Sequence, residues 1–117
     1  MTQVELAQVA ILRVTITGNL GSKELLAKVD TGAEMCCLYC MTIFGLTDDR
    51  HVAEIDFIGL AGEPKRLKIY ELDFDIAGHS LKGIRVAAGQ AERSILGMNL
   101  LNKLLLTVDG PGNHFLI

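Results

Sequence analysis

The chain has 117 residues, 50% of them apolar, 5% aromatic and none tryptophan, with 11 basic and 14 acidic residues for a net charge of -3. That length supports a single domain over residues 1–117 with a modest aliphatic core, and the charge balance excludes the basic footprint of a nucleic-acid binder. No run approaches the roughly 18 consecutive apolar residues of a membrane span, and residues 1–10 carry Glu5 but no basic residue, so neither a membrane nor a secretory signal is expected and the cytoplasm is the default location.

In chain order, Val9 to Thr17 predicts a strand, with Leu12, Val14 and Ile16 alternating against Arg13, Thr15 and Thr17. Gly18-Asn19-Leu20-Gly21-Ser22 predicts a turn. Leu25 to Val29 predicts the hairpin partner of the first strand, and Asp30 falls at its end. The segment after Ala33 reads as a strand followed by one helical turn near Phe44-Gly45-Leu46, before the polar break Thr47-Asp48-Asp49-Arg50. Ala53, Ile55 and Phe57 alternate with Glu54, Asp56 and Ile58 as another strand, and Gly59 to Pro64 predicts a hairpin tip. Leu67 to Ile76 is the clearest strand: Tyr70, Leu72, Phe74 and Ile76 share one face, and Glu71, Asp73 and Asp75 share the other. Gly78-His79-Ser80 is expected to turn the chain into a short strand over Ile84 to Ala87. A polar loop from Gly89 to Ser94 precedes Ile95-Leu96-Gly97, a short helix from Met98 to Lys103, a strand from Leu104 to Val108, and a final strand from His114 to Ile117. The sum is a mostly β domain of short strands, closed or folded on itself, with one short C-terminal helix.

The cysteines, Cys36, Cys37 and Cys40, are odd in number and clustered, which argues against a disulfide framework. Cys37-Leu38-Tyr39-Cys40 has the spacing of a redox pair, but that chemistry calls for a helix N-terminus and a lowered thiol pKa. Structural zinc needs two more soft ligands, whereas the histidines lie singly at His51, His79 and His114. Small buried thiols are the expected outcome, with no metal and no cofactor. Ser80 and Ser94 have no visible base, so a serine nucleophile is not expected.

Asp30-Thr31-Gly32-Ala33 is the most informative stretch. It places one carboxylate at the end of an apolar strand, with a glycine two residues on to permit a tight turn. Peptide hydrolysis needs one group to take a proton from water and another to give a proton to the carbonyl oxygen and then to the leaving nitrogen. Two carboxyls at close range share one proton and perform both roles. No second Asp in the chain has the same setting: Asp48-Asp49 is a charged loop, Asp73 and Asp75 lie on a polar strand face, and Asp109 precedes Gly110-Pro111. The simple source of a second Asp30 is a second copy of the chain across a two-fold axis. Thr31 then bonds to the partner's backbone, Gly32 offers its N–H to a carboxylate oxygen, and Ala33 supplies no hydroxyl to the outer oxygen, which points to work at mildly acidic pH.

Val29-Asp30-Thr31-Gly32-Ala33, together with Ile95-Leu96-Gly97-Met98-Asn99-Leu100-Leu101 roughly 65 residues later, resembles the retropepsin-like aspartic protease family. Phe44-Gly45-Leu46 resembles the Leu-Gly-Leu that commonly follows the first motif, and the likeness spans about Val9 to Val108. The resemblance implies a closed β-barrel-like domain with a flap hairpin, acting as a C2 homodimer on peptide or protein substrates without metal or covalent intermediate. Asp30 would be catalytic, one from each subunit. Thr31, Gly32 and Ala33 would form the interlock and the cleft floor. Ile58, Gly59, Leu60, Ala61, Gly62 and Glu63 would form the flap, and Ile95, Leu96 and Gly97 would support the catalytic loop. Pro64 removes an N–H from the flap. The aliphatic composition implies apolar substrate pockets. The alternative expectation is a catalytically silent dimerisation or peptide-binding module of the same fold.

Overall fold

The computed structural model describes residues 10–58 and 62–108. The chain runs through β1 (Ala10–Gly18), β2 (Gly21–Val29), β3 (Cys36–Tyr39), α1 (Cys40–Phe44), β4 (Ala53–Ile58), β5 (Pro64–Ile76), β6 (His79–Gly89), β7 (Ser94–Leu96) and α2 (Met98–Val108). The strands form one sheet in the order β1-β2-β7-β3-β6-β5-β4, and an added pairing of β1 with β5 closes six of them into a barrel. Closure removes the free edges of those strands. β4 lies outside the ring, paired to β5 alone.

The alternation that predicts the strands also fills the barrel. Val14 and Ile16 from β1, Ala27 and Val29 from β2, Leu38 from β3, and Leu72, Phe74 and Ile76 from β5 are buried together with Ile84, Val86 and Leu96. Leu100, Leu101 and Leu104 of α2 join the same cluster. Tyr70 is the largest fully buried side chain. Burying an aliphatic side chain of this size contributes about 1.5–3 kcal/mol relative to exposure.

β5 serves three neighbours along its 13 residues. Its first half pairs with β4, from Ile58↔Pro64 to Ala53↔Ile69. Its second half closes the barrel on β1, from Val14↔Ile76 to Thr17↔Asp73. Against β6 the register shifts between Leu72 and Phe74, where Leu72 faces Ile84 but Phe74 faces Leu81. The extra residue is accommodated at Gly83, whose φ of 62° is a left-handed conformation that favours glycine. Asp73 Oδ1 accepts the Gly83 N–H at 2.9 Å and so fastens the bulge.

Three expectations are corrected. The expected strand over Leu104 to Val108 is the continuation of α2; leucine is a good helix former, the buried Leu100, Leu101 and Leu104 recur on one helical face, and no breaker precedes Gly110. His79 and Ser80 do not turn the chain but begin β6, with Ile76 opposite His79 and the turn made by Ala77 and Gly78. The strand expected at Ile84 to Ala87 spans 11 residues, because the Gly83 bulge carries pairing through a break in the alternation. The strand expected at Ala53 to Ile58 is β4, and its Glu54, Ile55 and Asp56 are all exposed where it lies outside the ring. The expected strand at His114 to Ile117 lies outside the described residues. No helix among the described residues is long and apolar enough to cross a membrane.

Candidate functional site

β2 is held between β1 and β7, antiparallel to the first and parallel to the second. The Lys28↔Ile95 and Val29↔Leu96 pairs end the β2–β7 ladder, and Asp30 follows directly. Its N–H donates to the Leu96 carbonyl at 3.0 Å, and its own carbonyl accepts the Ala33 N–H at 3.2 Å to close a tight turn. Within that turn the Gly32 N–H donates to Asp30 Oδ1 at 2.9 Å. One carboxylate oxygen is thereby fixed, while Oδ2 accepts no hydrogen bond among the described residues. Thr31 and Gly32 are exposed, and Asp30 and Ala33 are half-buried.

The far side of the loop is tied to α2. Ala33 and Glu34 carbonyls accept the N–H groups of Met98 and Asn99 at 2.8 and 3.0 Å, so the loop satisfies donors that a helix N-terminus otherwise leaves open. Asn99 makes the tie two-sided: its Oδ1 accepts the Cys36 N–H at 2.9 Å and its Nδ2 donates to the Arg85 carbonyl at 2.8 Å. Gly97 packs so closely on the loop's exit that a Cβ there would overlap the Met35 carbonyl carbon and oxygen and the Cys36 nitrogen. The segment Ile95, Leu96 and Gly97 is therefore brought against the loop that carries Asp30.

Asp30 opens on a concavity of about 410 Å³ that it shares with Lys28, Arg93 and Ser94, walled by Ile11, Leu26 and Ile95. The expectation of apolar pockets is only half met, because two cationic side chains line this one. Lys28 lies in β2 two residues before Asp30, which follows the strand's last residue, Val29, and both line the concavity. Arg93 precedes β7 at the end of the loop over residues 90–93. Sequence reading passed over Lys28, Arg93 and Asn99. The signal for Lys28 and Arg93 was their two-residue spacing from Asp30 and Ile95, respectively; Asn99 lay within the second motif without a visible partner.

Of the expected flap, Ile58 ends β4 opposite Pro64, and Gly62 and Glu63 are exposed; Gly59, Leu60 and Ala61 lie outside the described residues. The three cysteines are free thiols, Cys36 buried and Cys37 and Cys40 half-buried. Burial pushes the Cys36 thiol up to about 11, against the backbone donors that include the Gly97 N–H. Burial also raises Cys37, with Arg93 opposing it. Both are poor thiolates. Among the described residues no three of His, Cys, Asp and Glu converge as metal ligands.

No family model matches the chain, and no curated protein matches it. What the fold and the site define is a class by architecture: a mostly β protein with a six-stranded closed barrel that presents the Asp30 carboxylate at a turn, its Oδ1 hydrogen-bonded and its Oδ2 accepting no hydrogen bond among the described residues.

Proposed function

We propose that the chain is a retropepsin-like aspartic endopeptidase, working as a two-fold homodimer in which the two Asp30 carboxyls activate water against a peptide carbonyl. The observation that carries this reading is the Asp30 loop. Gly32 holds one carboxylate oxygen, Leu96, Met98 and Asn99 fix the loop's backbone, the second oxygen accepts no hydrogen bond among the described residues, and Asp30 lines a concavity. A carboxylate held this firmly, and the one acid on the walls of that concavity, is suited to be half of an acid–base pair.

In the dimer the pair carries one proton between its members. The ionised carboxyl takes a proton from water, and the protonated one donates to the carbonyl oxygen. The tetrahedral intermediate then collapses as a proton passes to the leaving nitrogen. Thr31, exposed at the tip of the loop, bonds to the partner's loop and fixes the separation of the two carboxyls. The hairpin of β4 and β5 closes over bound peptide and excludes water. The reaction takes place in the cytoplasm and calls for no metal, cofactor or nucleic acid.

The test is a digest of a peptide library at pH about 4 to 7 with the wild-type chain and with Asp30→Asn, alongside the mass of each in solution. The expected result is a dimer in both and a fall in cleavage of about 10³-fold or more in the variant. Equal cleavage by both proteins removes Asp30 from the reaction. A stable dimer that binds peptides but cuts none points instead to a silent binding module.

A further inference from the structure

The pocket beside Asp30 carries more positive than negative charge. Lys28 and Arg93 line it, and Asp30 is the one acid on its walls. Neither cation makes an ion pair among the described residues, although Arg13, Arg50, Arg66, Lys68 and Lys82 all do. Two cations at one concavity, both exposed and without an ion-pair partner among the described residues, offer charge-assisted hydrogen bonds to an incoming anion. The remaining walls are the apolar Ile11, Leu26 and Ile95. Leu26 and Ile11 are among the most exposed large apolar side chains, at 61% and 60%, so they offer a surface that nothing else in the described chain covers.

A ligand that fits must be apolar along its stem and anionic at its tip. We propose that this pocket reads a glutamate side chain next to the scissile bond, with its methylenes against Leu26 and Ile95 and its carboxylate on Lys28 and Arg93. The inference rests on the peptidase reading above and names its substrate class. A glutamate suits the site better than an aspartate, because the longer stem carries its charge away from Asp30. In a two-fold dimer each subunit supplies one such pocket, so the preference applies on either side of the cut.

The experiment compares kcat/KM for peptides that differ only in Glu, Gln or Leu at the residues flanking the mapped cut site. Glu is expected to exceed Gln by roughly 10-fold or more, and the ratio is expected to shrink as salt is added. The pair of changes Lys28→Gln and Arg93→Gln should bring the ratio close to one, and Arg93→Glu should favour Lys over Glu at the same position. If a variant fails to fold by circular dichroism, the wild-type ratio and its salt dependence decide the matter. Cleavage indifferent to Glu, or faster with Gln or Leu, overturns the inference and leaves the peptidase reading standing. If the wild-type chain cuts nothing, the peptidase reading fails, and fluorescence anisotropy with the Asp30→Asn chain still decides the pocket: tighter binding of the Glu peptide than the Gln peptide upholds it, and equal or absent binding overturns it.

Discussion

The Asp30 loop and the β4–β5 hairpin belong to one sheet but are fastened by different interactions. The loop is held by main-chain groups: Leu96, Met98 and Asn99 bond to it directly, and Gly97 packs on its exit with no room for a methyl group. The outer part of the hairpin has β4 paired on one side only and carries exposed ion pairs, Arg66 to Asp56 at 3.1 Å and to Glu54 at 4.0 Å. At its base it is anchored on the buried Tyr70, whose hydroxyl donates to Asp49 at 2.8 Å, and on the Val52 N–H, which donates to the Ile69 carbonyl at 2.7 Å. Backbone bonds with close packing fix a group to within fractions of an ångström, which the proposed role of Asp30 requires. Exposed ion pairs add little and re-form easily, which suits the covering role proposed for the hairpin.

Five substitutions break or sharpen that contrast. Gly97→Ala forces a methyl group into backbone atoms that cannot swing aside, so urea unfolding should show a loss of about 3 kcal/mol, with cleavage falling further than stability explains. A loss below about 0.5 kcal/mol would mean that the loop and helix are not in that contact. Asn99→Leu strands the Cys36 N–H and the Arg85 carbonyl and should cost about 2 kcal/mol. Asn99→Asp keeps the acceptor for Cys36 and should cost less; equal costs would show that the Arg85 bond alone matters.

The hairpin's base is tested by pH. Burial, then the hydrogen bond to Asp49, pushes the Tyr70 phenol up to about 12. Its folded pKa exceeds its unfolded one, so its contribution is complete below about pH 10 and is lost as pH rises toward 12. Ultraviolet titration should find a late-ionising tyrosine that moves to lower pH in Asp49→Asn. Asp49 has the opposite sign: the Tyr70 hydroxyl and then Lys68 hold its carboxyl below the usual range, so its contribution is present above that range and fades on acidification. The smallest effect belongs to the outer hairpin, where Arg66→Gln should leave the urea midpoint unchanged while altering substrate KM if the hairpin covers the cleft. A clear shift in midpoint would place a structural role on a pair that exposure says is weak.

The sequence-based reading follows the structure where neighbours in the chain decide the outcome. The β1–β2 hairpin, the two faces of β5 and the position of Asp30 at a strand end are visible in alternation and in glycine placement. The reading departs where distant residues decide. Leu104 to Val108 has the composition of a strand but continues a helix whose buried face starts at Leu100. β6 looks short because Gly83 interrupts its pattern, and only Asp73 on the neighbouring strand shows the interruption to be a bulge. β4 is legible as a strand, yet no local feature says that it lies outside the barrel.

The same division runs through the site. The amino-acid sequence by itself determined that a carboxylate follows an apolar strand, that a glycine two residues later lets an N–H turn back to it, and that a second apolar motif carries Gly97. Those are matters of short-range geometry. Only the tertiary structure decided that Gly97 and Asn99 clamp the Asp30 loop, and that Lys28 and Arg93 face the same hollow. These residues are separated by most of the chain, and the parallel register of β2 on β7, which aligns Lys28 with Ile95, is what brings them together.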